Sequence, residues 1–408
     1  MFLLKASHVV CKPGLILSPG AIRIRGNKIV EVATSLEALE GEKVLELGNS
    51  IIFPGFINSH CHLEYTLLKD KLSASKGSFV DWLQTIIQFK KTLSAIDYLK
   101  AHSMGIDLLL KSATTCVLDV VSIPEVFLFE SPYPLRVFSF LELIDVNCSS
   151  WTDEKLAGSL LFFSNRASST AIGLSPHSPY TASPELYALS KRWCLQENGL
   201  LMTHVAESYE EYEMFTQKKG GLFDFISRVE PRSARFKKST PLRFLAENEL
   251  LTKNAFLVHL NYLDETDWDW FKKNSWNVVY CPKSHAFFGH DPFPLRQLLS
   301  RGVNVVLGTD SLASNDSLDM RKEIQKARQA CPEISIEDWW KMVTVNPAKA
   351  LGLQGKLGEI AVGAYADLVA IPFNSSSSSD LLEALLYEQK EPSIVIINGK
   401  IVHSVEAL

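Results

Sequence analysis

Two imidazoles stand two residues apart in Asn58-Ser59-His60-Cys61-His62-Leu63-Glu64, directly after the apolar run Ile51-Ile52-Phe53-Pro54-Gly55-Phe56-Ile57. On an extended strand, positions i and i+2 point to the same side. His60 and His62 can therefore both reach one metal ion from the end of a buried strand. A His-x-His pair alone is a weak signal, but four further apolar runs end in polar groups. They are Ser175-Pro176-His177-Ser178, Thr203-His204-Val205-Ala206-Glu207, Val258-His259-Leu260-Asn261 and Leu307-Gly308-Thr309-Asp310-Ser311. Five of the ten histidines (His60, His62, His177, His204, His259) occupy such run ends. Any one of them reads as a buried histidine with its hydrogen bonds satisfied; five together with an aspartate do not.

Three neutral imidazoles and one carboxylate make a shell for a borderline metal such as zinc, with one position left for water. The sequence assigns His60, His62, His204 and Asp310 to one divalent ion, zinc first, with iron and manganese as the other ions such a shell accepts. Glu207, three residues past His204, is the expected proton carrier beside the water. His259 is an alternative ligand for a second metal. Such two-metal sites usually need a bridging anion, often a carbamylated lysine, and no lysine stands near His177. One ion is the better expectation.

The elements that must position these groups follow a strand-then-helix rhythm. Strand candidates are Ile51–Ile57, Thr115–Val121, Arg136–Ile144, Ala171–Leu174, Leu200–His204, Asn254–His259, Trp276–Cys281 and Val303–Leu307. Amphipathic stretches such as Phe79–Lys91, Pro184–Gln196 and Leu295–Arg301 fill the gaps. Eight β/α units specify an α/β fold of the (β/α)8 TIM type, whose chemistry sits at the C-terminal ends of the strands. An open doubly wound sheet is the alternative, but no G-x-G-x-x-G turn follows the first strand.

Both chain ends carry hairpin signals. Ala21–Arg25 and Lys28–Val32 are joined by Gly26-Asn27, and Ser393–Ile397 and Lys400–His403 by Asn398-Gly399. Ala366–Ile371 reads as a further strand, and Ser375–Ser379 as a surface loop. The expected organisation is a small composite β-sandwich domain from residues 1–50 and 360–408, and a catalytic barrel from 51–359.

At 408 residues the chain is long enough for one large barrel. Its net charge of −5, with no basic block, argues against nucleic acid as a partner. Seven cysteines without a C-x-x-C pair fit a reduced, cytoplasmic compartment. Lys5 interrupts the apolar start that a signal peptide would need, and no apolar run approaches the roughly 18–20 residues that span a bilayer. A soluble protein without a membrane partner is expected. Oligomeric state is not written in these features, with a homodimer carried as one expectation.

Taken in order, these pieces resemble the amidohydrolase superfamily, in its mononuclear branch of aminohydrolases and chlorohydrolases acting on heteroaromatic rings. The resemblance is carried by Pro54–His62, Pro176–Tyr180, His204–Glu207, Leu257–His259, Cys281-Pro282-Lys283-Ser284, Leu307–Ser311, Thr344–Gly352 and Gly363–Val369. Within the branch, His62-Leu63-Glu64, Leu67-Leu68-Lys69, Phe79-Val80-Asp81-Trp82, Phe138–Glu142 and Ala286–His290 look most like aminodeoxyfutalosine deaminases of menaquinone biosynthesis. His285 departs from that pattern, standing where relatives commonly carry asparagine.

The resemblance implies hydrolytic loss of ammonia from a purine nucleoside-like small molecule. Asp310 and His259 would orient and deprotonate the attacking water, and Glu207 would protonate the ring nitrogen and then the departing amine. His177 would bond the ring, with Glu64, Glu142 and Trp82 as further substrate contacts. A benzoate carboxylate on the substrate would pair with Lys283 or Lys69. Deaminases of S-adenosylhomocysteine, methylthioadenosine or guanine, and chlorohydrolases, are alternatives within the reaction class, and a non-catalytic barrel is the alternative outside it.

Overall fold

Eight short strands run parallel in chain order, each hydrogen-bonded to the next: Phe56–Cys61 (β1), Thr114–Val121 (β2), Arg136–Leu143 (β3), Ser169–Pro176 (β4), Leu200–Val205 (β5), Phe256–His259 (β6), Asn277–Tyr280 (β7) and Asn304–Leu307 (β8). The computed structural model describes residues 1–72, 78–125, 134–146, 151–164, 169–229, 238–373, 381–388 and 390–404. Ser375–Ser379, expected as a surface loop, and Cys148 lie outside the described residues. Helices stand in the connections other than that between β2 and β3, part of which lies outside the described residues. This is the expected (β/α)8 barrel.

The ring is drawn together where β8 meets β1. The N–H groups of Thr309 and Asp310 both donate to the carbonyl of His60, each at 3.1 Å. Asn58 reinforces the junction, accepting from the Thr309 N–H at 3.1 Å and donating to the Thr309 hydroxyl at 2.7 Å. Gly308 makes the approach sterically feasible: a Cβ there would lie 2.9 Å from the His60 Cβ and backbone nitrogen. The closure therefore fixes His60 and Asp310 relative to one another.

Two antiparallel-rich sheets flank the barrel. One holds Phe2–Ala6, Gly20–Arg25, Lys28–Ala33 and Lys43–Glu46; the other joins His8–Lys12, Leu15–Leu17 and Ser50–Pro54 to Leu368–Pro372, Ile394–Ile397 and Lys400–Ser404. Their shared core, with Leu4, Ile22, Ile24, Ile52, Leu368 and Ile396, makes them a small sandwich built from both termini. We propose the division into units 1–50 plus 360–408 and 51–359 as the boundary between sandwich and barrel, except that Ile51–Pro54 pair in the terminal sheet and go with the sandwich.

One strand differs from the sequence reading. The run Ile51–Ile57, expected as a single barrel strand, is two strands with different partners. Ser50–Pro54 pairs with Leu368–Pro372 in the terminal sheet, and β1 starts only at Phe56. Gly55 is the hinge, because a Cβ there would sit 2.1 Å from the Thr115 side chain. Both segments are fully buried, so their hydrophobicity is continuous and only Pro54-Gly55 marks the break.

Four helices bear on the site: Phe79–Lys90 (α1), Tyr209–Gln217 (α2), Gly221–Val229 (α3) and Pro282–Phe288 (α4). A reciprocal capping box between Ser78 and Asp81 starts α1, which buries Phe79, Val80 and Ile86. α1 and α3 pack against each other. No described helix is long and apolar enough to cross a membrane.

Candidate active site

Each strand end that the sequence marked delivers its polar group to one place. His60 lies in β1 and His62 just past its end, His204 in β5, and Asp310 two residues beyond Gly308. The Nε2 of His204 is 3.2 Å from that of His60 and 3.4 Å from that of His62. Asp310 Oδ1 completes the cluster, 3.7 Å from His60 Nε2 and 3.9 Å from His62 Nε2. All four side chains are buried.

Hydrogen bonds to the far nitrogens decide what these imidazoles can hold. His204 Nδ1 lies 2.9 Å from the backbone carbonyl of His177, which only accepts, so Nδ1 carries the proton. His60 Nδ1 faces the Met202 thioether at 3.3 Å, a weak acceptor that favours the same tautomer. The Nε2 lone pairs of both rings are thus turned toward one another. Burial pushes His60 and His62 well below the ordinary imidazole value and His204 down to about 4, so the rings are neutral. Facing lone pairs beside a carboxylate oxygen fit a cation, with second-shell partners of the kind that orient metal-ligating histidines.

The carboxylate is held as firmly as the rings. Asp310 Oδ2 accepts from the hydroxyls of Ser284, 2.8 Å away on α4, and Ser314, at 2.7 Å. Oδ1 is left to face the imidazoles. Asp310 sits at φ +56°, His259 at +72° and Ala206 at +51°, all sparsely populated for these residue types. Strained backbone at three neighbouring strand ends is what a site that aims side chains inward looks like.

Glu207 is buried beside this cluster. Desolvation, followed by the charge of Asp310, raises its carboxyl well above the ordinary range. Its Oε1 lies 3.6 Å from His259 Nε2. Burial also keeps His259 neutral. The backbone of Glu207 is fixed on both sides: its N–H donates to Glu211 Oε2 on α2 at 2.9 Å, and its carbonyl accepts from Asn261 at 2.8 Å.

A cavity of about 660 Å³ opens over these groups, a volume suited to a small organic ligand. His62, His204, Glu207, His259 and Asp310 form its inner end, with His177 and Glu142 on the adjoining wall. Neutral imidazoles and two carboxyl groups at the inner end of a pocket can activate water and deliver a proton to a bound ring.

A sequence model described as the amidohydrolase family matches residues 51–402. The chain belongs to the amidohydrolase family. It is a hydrolase acting on C–N bonds. Among curated relatives, the 5-methylthioadenosine/S-adenosylhomocysteine deaminase of Pyrococcus furiosus is 30% identical, over 93% of this chain and 90% of its own. Among solved structures, Helicobacter pylori aminofutalosine deaminase bound to methylthio-coformycin is 25% identical with a TM-score of 0.85, covering 99% and 100% of the two chains. An adenosine deaminase from Xanthomonas campestris with bound zinc shares the fold, with a TM-score of 0.84 and 22% identity over 98% of this chain and 92% of that one.

The remaining expected contacts of this amidohydrolase divide. His177 and Glu142 line the cavity, and one nitrogen or oxygen of each falls within 4.8 Å of the other and of a His204 nitrogen. His177 Nδ1 is occupied by the Thr181 hydroxyl at 2.6 Å, which leaves Nε2 for a ligand. Trp82, on α1, also lines the cavity, packed between Phe79 and Phe288. Its indole Nε1 is buried without a hydrogen-bond partner.

Glu64 is not on the cavity wall. Its carboxylate is used by Ser122, one oxygen accepting from the N–H at 3.0 Å and the other from the hydroxyl at 2.5 Å. The 3-10 turn Leu63–Leu68 rotates Glu64 away from the line of His62. The expected carboxylate partners differ too. Lys69 is exposed, and Lys283 pairs with Asp316 in a separate hollow; neither lines the cavity. His285 donates to the Asp291 carbonyl at 2.9 Å and is likewise off the wall.

Sequence reasoning also missed residues that the fold brings in. Tyr65 stacks on the His62 ring, with centroids 5.4 Å apart and planes at 17°. Ser284 and Ser314 hold Asp310. Ser284 was visible in the Cys281–Ser284 motif; Ser314 carried no signal, being one small residue in a loop.

Proposed function

We propose that this amidohydrolase is a metal-dependent deaminase of an adenine nucleoside-like substrate, releasing ammonia, with 6-amino-6-deoxyfutalosine as the first substrate to test. One observation carries the reading: Glu207, a buried carboxyl 3.6 Å from His259, stands at the edge of a cluster of imidazoles and one carboxylate. Replacing an aromatic amine by water needs both a nucleophile and a proton for the ring. The inner end of the cavity offers both.

His60, His62, His204 and Asp310 would hold one divalent ion, zinc first. When bound, such an ion brings the pKa of water from about 15.7 toward roughly 7 and so supplies hydroxide at neutral pH. Glu207 gives its proton to the ring nitrogen beside the amine-bearing carbon, making that carbon electrophilic. Asp310 and His259 orient the incoming water and take up its proton. Glu207, once deprotonated, takes the proton of the hydroxyl now on the ring carbon and passes it to the departing nitrogen, which leaves as ammonia as the carbonyl forms. His177 and Glu142 bond the ring and its substituent, and Trp82 forms part of the pocket wall. Replacing ammonia loss by loss of another group needs the same machinery, because fold alone does not choose the substrate.

The nature of the relatives supports the purine reading. The curated relative carries methylthioadenosine and S-adenosylhomocysteine in its name, and the H. pylori structure aminofutalosine. The methylthioadenosine and S-adenosylhomocysteine reading is kept as the second, on the strength of the 30% identical relative. A reduced, cytoplasmic setting fits the free thiols of all described cysteines. The test is ammonia release by the metal-loaded protein from 6-amino-6-deoxyfutalosine, methylthioadenosine, S-adenosylhomocysteine, adenosine and guanine. Turnover of the first above the rest is expected; release from none of them overturns the deaminase reading.

A further inference from the structure

The cavity is electrically divided. Its acidic lining residues are Glu142, Glu207 and Asp310, and all three come from strand ends. Its lysines and arginine are Lys90, Lys91 and Arg228, and all three come from the C-terminal ends of α1 and α3. Apolar side chains of the same two helices, among them Leu83, Ile87, Phe225 and Val229, line the wall as well. The pocket thus offers an acidic inner end, an apolar stretch and a cationic rim.

The three cations are not equivalent. Lys90 is half-buried and donates to the Tyr65 hydroxyl at 2.5 Å, so it belongs to the network around His62 and Glu64. Lys91 and Arg228 are exposed, and neither has an acidic partner within salt-bridge distance among the described residues. Cations near a helix C-terminus also complement the helix dipole, which accounts for their place on the helix. It does not account for both helices turning these charges onto one cavity whose outer wall has no acidic residue among the described residues.

From this we infer that Arg228 and Lys91 anchor an anionic group at the far end of the substrate. The ligand class is an adenine nucleoside whose sugar carries an apolar or aromatic extension ending in an anion such as a carboxylate. The inference rests on the deaminase reading of the inner end. It assigns the role expected of Lys283 and Lys69 to residues from the roof helices. Arg228 is the stronger member of the pair, because its planar guanidinium can meet a carboxylate with two hydrogen bonds.

The experiment compares 6-amino-6-deoxyfutalosine, its methyl ester and methylthioadenosine in the wild-type enzyme and in Arg228→Met and Arg228→Met/Lys91→Met. The free acid is the anionic probe, and the other two are uncharged at that end. The double variant is expected to raise KM for the acid about two- to thirty-fold, the range two exposed ion pairs supply. Its kcat should stay within about two-fold, with both uncharged probes unaffected and the salt dependence of KM for the acid reduced. Equal loss on all three probes, or no change on the acid, overturns the anchor.

If the wild-type enzyme deaminates none of them, the deaminase reading falls and the anchor is judged on binding. Thermal stabilisation by futalosine but not by its methyl ester, lost in the double variant, supports it. Equal stabilisation by acid and ester overturns it.

Discussion

The Nε2 atoms of His60 and His204 face each other across 3.2 Å, each turned inward because its ring's other nitrogen is engaged behind it. Two neutral nitrogens cannot share a proton that neither carries. Their separation fits a site for a cation, with His62 and Asp310 Oδ1 as the remaining walls. His60→Ala and Asp310→Ala should each reduce metal content from about one ion per chain toward none. Chelation of the wild-type enzyme should lower its melting temperature, and excess zinc should restore it, since a ligand bound only to the native state adds stability. Full metal occupancy in both variants, measured by elemental analysis, would show that the ligand set is wrong.

Glu207→Gln isolates proton transfer from metal binding. The side chain stays the same size and its backbone anchors, Glu211 and Asn261, are untouched. Metal content should be unchanged and turnover should fall by about 10²–10⁴-fold. Single-turnover ammonia release is the measurement, and near-normal rates would refute the role.

Ser284→Ala with Ser314→Ala removes both donors to Asp310 Oδ2. The carboxylate then has no reason to present Oδ1 to the imidazoles. Metal affinity should weaken by about 10- to 100-fold, as is usual when second-shell partners are lost. Competition with a chelator of known affinity reads this directly. An unchanged affinity would mean that the β1–β8 junction alone positions Asp310.

These residues differ in how much of their placement the sequence shows, and the difference is physical. His60, His62, His204 and Asp310 are legible because each stands where an apolar strand pattern turns polar, and a barrel gathers strand ends at one rim. The same logic places Glu207 and His259. Glu64 is not legible, because its direction is set by the turn Leu63–Leu68, and a carboxylate two residues from a ligand looks the same whether it faces the cavity or Ser122. Lys91 and Arg228 escape for another reason: cations on amphipathic helices ordinarily face water, and only the placement of α1 and α3 over the barrel turns these toward a pocket. The eight strands were visible as apolar runs, while the split at Gly55 was hidden by two buried segments in succession.

Glu211 gives the fold a pH dependence of its own. Its carboxyl is buried, with Oε2 accepting from the Glu207 N–H and Oε1 without a partner. Desolvation raises it from the ordinary 4.5 to about 7, so the folded protein prefers the protonated form more than the unfolded chain does. The stability tied to that proton is fully present below pH 4.5 and is lost as pH rises through about 7. The interval corresponds to about 3 kcal/mol at most. Glu211→Gln keeps an acceptor oxygen for the Glu207 N–H and cannot ionise. Between pH 5 and pH 8 the wild-type melting temperature should therefore fall relative to that of Glu211→Gln, with the gap opening mainly between pH 5 and pH 7 and levelling off above. Parallel melting curves across that range would mean that Glu211 is ionised in the folded protein throughout.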